Sequence, residues 1–209
     1  MTPRKSSGFT LIELLIVIAI IGVLSVALLP RIIGSRENAN KTANEANMKW
    51  HFQVFIEYEM AYKTYGREGG HKFVLDPWVR GKVEKTDASR DRYFNPNLLG
   101  DPYYQDLKAK DSSKLWPNLE SLTSQDTHYA GRAKEHLVSM KKGDQAWMAD
   151  DNETGPAFSD NTIVVLMGDG SIKRLEAEDL KATGWDPDSG QVFEVGPQSP
   201  LPLLQRLQR

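Results

Sequence analysis

Residues 8–30 read GFTLIELLIVIAIIGVLSVALLP, and from Leu14 to Leu29 this stretch holds no charged side chain. As a helix, the run from Phe9 to Leu29 is about 31 Å long, enough to cross a bilayer once. The residues before it, MTPRKSSG, carry Arg4 and Lys5 and no acid, which is the short positive flank that stays on the cytoplasmic side. Around Leu28, Leu29 and Pro30 there is no small-residue cleavage site of the A-x-A kind. The apolar run therefore reads as a retained anchor and not as a removed secretory signal. Glu13 does not fit a plain anchor. It sits inside the apolar run, where an ionised carboxylate is costly and is normally kept for a functional partner.

The string GFTLIELLIVIAIIGVL, residues 8–24, resembles the processing and membrane segment of type IV prepilins and of the pseudopilins of type II secretion systems. The resemblance implies that a membrane prepilin peptidase cuts after Gly8 and methylates the new amino terminus at Phe9. It also implies that Glu13 meets the amino terminus of a neighbouring subunit, setting register as helices stack into a filament core. Unscreened opposite charges attract strongly in hydrocarbon. Pro30, with Gly22 and Gly34 on either side, has a counterpart in the family. Proline removes one backbone hydrogen bond and clashes with the preceding turn, so a bend or local melting is expected across residues 22–34. A simple kink where the helix leaves the membrane is the other reading of the same residues.

Beyond Pro30, Ala39, Ala43, Ala46, Trp50, Val54, Tyr58, Ala61 and Tyr65 recur at steps of three and four, the face of a continuing amphipathic helix. Arg36, Glu37, Lys41, Glu45, Lys49 and Glu57 occupy its other faces, and Gly66, Gly69 and Gly70 are expected to end it. Residues 67–126 are rich in Asp, Asn, Pro, Gly and Lys and predict mostly loops with one or two short elements. His128 to Lys142, with Ala130, Ala133, Leu137 and Met140 on one face, predicts a second helix. TIVVLM and SIKRL around GDG predict a β-hairpin over 162–175. Glu176–Ala182 predicts a short helix closed by Gly184, and QVFEV at 191–195 a further strand. The tail GPQSPLPLLQRLQR reads as a docking segment or, preferably, a flexible end.

The expected fold is α+β and pilin-like, a long N-terminal helix packed on a small antiparallel sheet. Its parts are a leader over 1–8, a transmembrane and filament-core helix over 9–33, an amphipathic continuation over 34–66, and a globular domain over 67–209. The turn MGDGSIKRL resembles the DGS turn of prepilin-type proteins with an H-x9-DG signature, although Ser159 stands where that signature has histidine.

With 26 basic and 28 acidic side chains and no long block of either sign, bulk charge points to no nucleic-acid partner. The absence of cysteine excludes disulfides and thiolate chemistry. Gly168 and Gly170 lack the third glycine of a dinucleotide fingerprint, and no G-x-S-x-G or H-E-x-x-H motif occurs. His51, His71, His128 and His136 have no compact metal spacing and read as scattered surface or core residues. No catalytic, cofactor or resident metal site is expected. Two acidic groups, Asp186 and Asp188 with Gly190, and Asp150, Asp151 and Glu153, are otherwise turn formers and solvated charges. Calcium at such oxygen clusters has a counterpart in the major pseudopilins.

Taken with the resemblance, the expected protein is no enzyme. It is a single-pass protein of the cytoplasmic (inner) membrane, N-terminus inside and head outside, that enters a type IV pilus or secretion pseudopilus as a major or minor subunit. Its implied partners are the prepilin peptidase, other subunits, the lipid bilayer, and a platform protein with its assembly ATPase. The alternative is a membrane-anchored extracytoplasmic binding module that does not polymerise.

Overall fold

The computed structural model describes residues 9–139, 143–152 and 155–209. The leader, Met140 of the expected second helix and Glu153 of the second acidic group lie outside the described residues. By packing, the chain divides into two compact units, Met1–Ala39 and Asn40–Arg209.

In the N-terminal unit the described chain is the first part of helix α1, Leu11–Tyr62. The rest of α1, from Asn40 onward, belongs to the second unit and carries its head domain. After Tyr62 the chain leaves the helix through Lys63, which takes a left-handed φ of 58° while its N–H still donates to Glu59 O at 2.7 Å. The helix thus ends before the glycines at 66, 69 and 70 are reached.

Residues 67–126 are not mostly loop. They form α2 (His71–Val79), α3 (Asp87–Asp91) and α4 (Pro102–Lys108), with 3-10 turns at Pro96–Leu98, Ser112–Lys114 and Ser124–Asp126. The polar residues that read as loop signals are helix starts. Thr86 accepts from Ser89 N at the head of α3, and Asp101 accepts from Tyr104 N with Pro102 in the first turn of α4. A side-chain oxygen at the N-cap satisfies a backbone donor that the helix leaves unpaired.

The expected helix over 128–142 is instead strand β1 (Tyr129–Arg132) followed by a 3-10 turn at Lys134–Ser139. β1 is buried along its whole length, so its burial has no helical period. Strands β2 (Ala146–Asp150), β3 (Ile163–Met167), β4 (Ile172–Leu175) and β5 (Leu207–Gln208) complete an antiparallel sheet of order β4-β3-β2-β1-β5. The β3–β4 hairpin stands where the sequence placed it, turning through Gly170 at φ +84°. Helix α5 (Ala177–Lys181) follows as expected. QVFEV forms no strand; the fifth strand comes from the tail, whose Leu204 and Leu207 are fully buried. The tail is a docked part of the head.

Both faces of the sheet are covered. Val164 and Leu166 of β3 join the core formed with Met48 and Phe55 of α1 and Phe73 and Trp78 of α2. Ile163 and Val165 point the other way, to Leu180 of α5 and to Phe193 and Leu204. Burial on both faces explains why β3 reads as an unbroken apolar run. In β2 the register shifts between Ala146 and Met148, so Trp147 and Met148 both serve the helix-side core.

Candidate assembly site

At the N-terminus, Thr10 and Glu13 close a reciprocal cap. Glu13 Oε2 accepts from Thr10 N at 2.8 Å and from Thr10 Oγ1 at 2.7 Å, and Glu13 N donates back to Thr10 Oγ1 at 3.3 Å. This is the T-x-x-E capping box, which satisfies donors that the first turn of α1 would leave orphaned. The pattern is legible in TLIE at residues 10–13, although the family resemblance points Glu13 toward a partner outside the chain.

The side chains that follow are apolar on every face and uncovered. Phe9 is 83 % exposed and Leu11 86 %, and Val17, the most sheltered of the large ones, still shows 44 %. A helix apolar all round belongs in a membrane or in the core of a larger assembly. Among the described residues, no helix is long and apolar enough to cross a membrane; the side chains at 27, 29 and 30, which complete the apolar run in the sequence, lie outside them. α1 is assigned without interruption through Gly22 and Gly34, and a Cβ at either would meet nothing within 4 Å. Gly8 and the side chain of Pro30 lie outside the described residues.

From Lys41 onward, α1 buries only part of the expected face. Val54 and Tyr58 are buried as expected and Trp50 half-buried, but Ala39, Ala43, Ala46 and Ala61 are exposed, and the other buried positions are Lys41, Asn44, Met48, His51 and Phe55. Their spacing is helical but Lys41, Asn44 and His51 are polar, so an apolar pattern could not reveal them. The Lys41 ammonium pairs with Asp160 and lies 5.4 Å from the Phe158 ring. Asn44 Nδ2 donates to Asp150 Oδ1 at 2.9 Å, and Tyr129 Oη donates to Asn44 Oδ1 at 2.8 Å, which fixes the amide's orientation. Asp150 also accepts from Asn95 Nδ2 at 2.7 Å and from Val164 N at 2.9 Å. Complete burial pushes its carboxyl up to about 6, against the lowering effect of those three donors. His51 Nε2 lies 3.0 Å from Arg92 O, and burial pushes its pKa down to about 3. It is therefore neutral at physiological pH and donates through Nε2.

The two acidic groups differ: Asp186 and Asp188 are turn formers as expected, whereas Asp150 is fully buried and Asp151 half-buried, not the solvated charges expected. Asp186 accepts from Asp188 N at 2.9 Å and opens the 3-10 turn Pro187–Ser189, which Gly190 closes at φ +73°. Asp150 of β2 is the hub that Asn44 of α1 meets, whereas Asp151 Oδ2 pairs with Arg209 Nε at 3.0 Å. Among the described residues, no three His, Asp or Glu side chains converge as metal ligands. A second hub was missed. Asp126 accepts from Trp116 Nε1 at 2.6 Å, Tyr103 Oη at 2.7 Å and Thr123 N at 2.7 Å, tying together the 3-10 turns and α4.

An uncovered apolar helix with a capped tip, carrying an α+β head on its second half, is the architecture of a pilin-like subunit. The model of the prokaryotic N-terminal methylation motif matches residues 3–29. The type IV wide pilus major component PilA4 of Thermus thermophilus is 56% identical over 62 residues, 30% of this chain and 47% of that protein. The type II secretion system core protein G of Aeromonas hydrophila is 42% identical over 124 residues, 55% of this chain and 82% of that protein. The chain thus spans about half the length of the first relative and most of the second. No solved structure matches the chain. The chain belongs to the family of type IV pilins and type II secretion pseudopilins.

Proposed function

We propose that the chain is a precursor cut between Gly8 and Phe9 by a prepilin peptidase, methylated at Phe9, and assembled through residues 9–33 as a subunit of a type IV pilus or a type II secretion pseudopilus. The role is structural and not catalytic. Before assembly the segment waits as a single span in the cytoplasmic membrane with the head outside, and a platform protein with its ATPase extracts it.

The observation that carries this reading is the exposed apolar surface from Phe9 to Val26, of the kind that lipid or neighbouring subunits cover. Glu13 supplies the acid for a neighbour's amino terminus, and Gly22 and Pro30 supply the place where the helix bends.

The test is the intact mass of the protein recovered from membranes of cells with an active prepilin peptidase. A chain beginning at Phe9 and heavier by one methyl group is expected, and Gly8→Leu should leave the full precursor. An uncut wild-type chain in those cells would sink the processing claim and leave an anchored binding module as the better account.

A further inference from the structure

A cleft of about 690 Å³ opens beside residues 192–197, between that loop and Asp151, Asn152 and Arg209. Its lining divides by chemistry. Val192, Phe193, Val195 and Pro197 give an apolar side, and Asp151, Asn152 and Glu194 supply oxygens. One guanidinium is already held in this wall, that of Arg209, on the Asp151 carboxylate at 3.0 Å.

Two further acceptors have no partner among the described residues. Asn152 is 2 % exposed, and its Oδ1 is buried with no donor in reach. Glu194, in the same lining, is exposed and without an ion pair or hydrogen bond. A buried carbonyl left unmet costs free energy that an incoming donor would recover, and a free carboxylate in the same lining favours a donor of positive charge. The apolar side gives an aliphatic stem a surface to lie on while its charged head reaches the oxygens.

We propose that this cleft receives one arginine or lysine side chain of a partner protein, with the stem against Val192, Val195 and Pro197 and the cationic head on Asn152 Oδ1 and Glu194. The site lies wholly within the head, so its occupancy does not depend on processing at Gly8.

The test is a nuclear magnetic resonance titration of the full chain in detergent micelles with Nα-acetyl-L-argininamide, set against the neutral isostere Nα-acetyl-L-citrullinamide. Saturable shifts of the Asn152 side-chain amide are expected with the arginine derivative, and binding of the citrulline derivative at least about tenfold weaker. Glu194→Gln should weaken arginine binding, and Asn152→Ala should abolish it. Because Glu194 is exposed, its variant carries the test independently of folding. Absence of saturable shifts with the arginine derivative would overturn the proposal. Equal shifts with the two derivatives, an unchanged affinity in Glu194→Gln, or a response to calcium chloride alone would do the same.

Discussion

Asn44 of α1 and Asp150 of β2 meet at 2.9 Å inside the head although they are 106 residues apart in the chain. This contact joins the helix to the sheet, and Tyr129 Oη holds the Asn44 amide in the orientation that makes it possible. Asn44→Ala strips one donor from a fully buried carboxyl and removes an acceptor from Tyr129. Because unmet buried groups cost more than the hydrogen bonds themselves contribute, a loss of about 2–3 kcal/mol is expected in urea melts of the full chain in micelles. A loss under about 0.5 kcal/mol would mean that the hub does not fasten the helix.

The charge state of Asp150 gives a pH signature of its own. Its folded pKa of about 6 lies above the unfolded value of 3.8, so the folded chain holds this proton more tightly. The stability it contributes is full below 3.8 and is lost as pH rises through about 6. Asp150→Asn cannot titrate. The stability of wild type relative to this variant should therefore fall by roughly 3 kcal/mol between acid and neutral pH. A difference that stays flat across that window would contradict the assignment.

The histidines act in the opposite direction. Burial pushes His51 down to about 3 and His128 down to about 4 from 6.5. Above 6.5 both are neutral whether the chain is folded or not. As pH falls from 6.5 toward 4 the unfolded chain takes up protons that the folded one refuses, and stability is lost. His51→Phe should shrink the acid limb of the stability curve while costing the bond to Arg92 O, a shape that melts over a pH series would resolve. An acid limb as steep in the variant as in wild type would exclude His51 as its source.

Gly131 of β1 lies under the start of α2. A Cβ there would stand 2.4 Å from Gly70 O and 2.8 Å from Val74 Cγ2, and backbone cannot yield as a flexible side chain can. Gly131→Ala should cost about 3 kcal/mol or prevent folding, whereas Gly100→Ala, with nothing within 4 Å, should stay within about 0.5 kcal/mol of wild type. Equal melting behaviour of the two variants would refute the close approach.

The N-terminal segment was legible because its signal is local. Charge, apolar length and the misplaced Glu13 all lie within one short stretch, and the GDG hairpin is punctuated in the same way. The middle was misread because Thr86, Asp101 and Pro102 are residues of loops and of helix starts alike, and only the buried Tyr104 and Leu107 that follow decide between them. β1 and β5 are too short for their period to show, and the two-residue β5 exists only because β1 offers it an edge. The buried face of α1 was the hardest to read. Lys41 and Asn44 are core residues because Asp160 and Asp150 answer them, and those partners lie far along the chain.

The polar stripe on α1 also determines where the helix can sit along its own axis. A helix buried by leucines alone would find nearly equivalent seats one turn, about 5.4 Å, up or down. Here a slip in one direction would set Met48 against the Asp150 carboxyl in place of Asn44. A slip in the other direction would bring Asn40 to Asp150 but push Asn47 into the ring cluster that His51 occupies with Phe55, Tyr93 and Tyr129. Lys41, Asn44 and His51 work as the teeth of a ratchet stop, so a pull along the helix meets a discrete catch where an all-apolar seat would only creep.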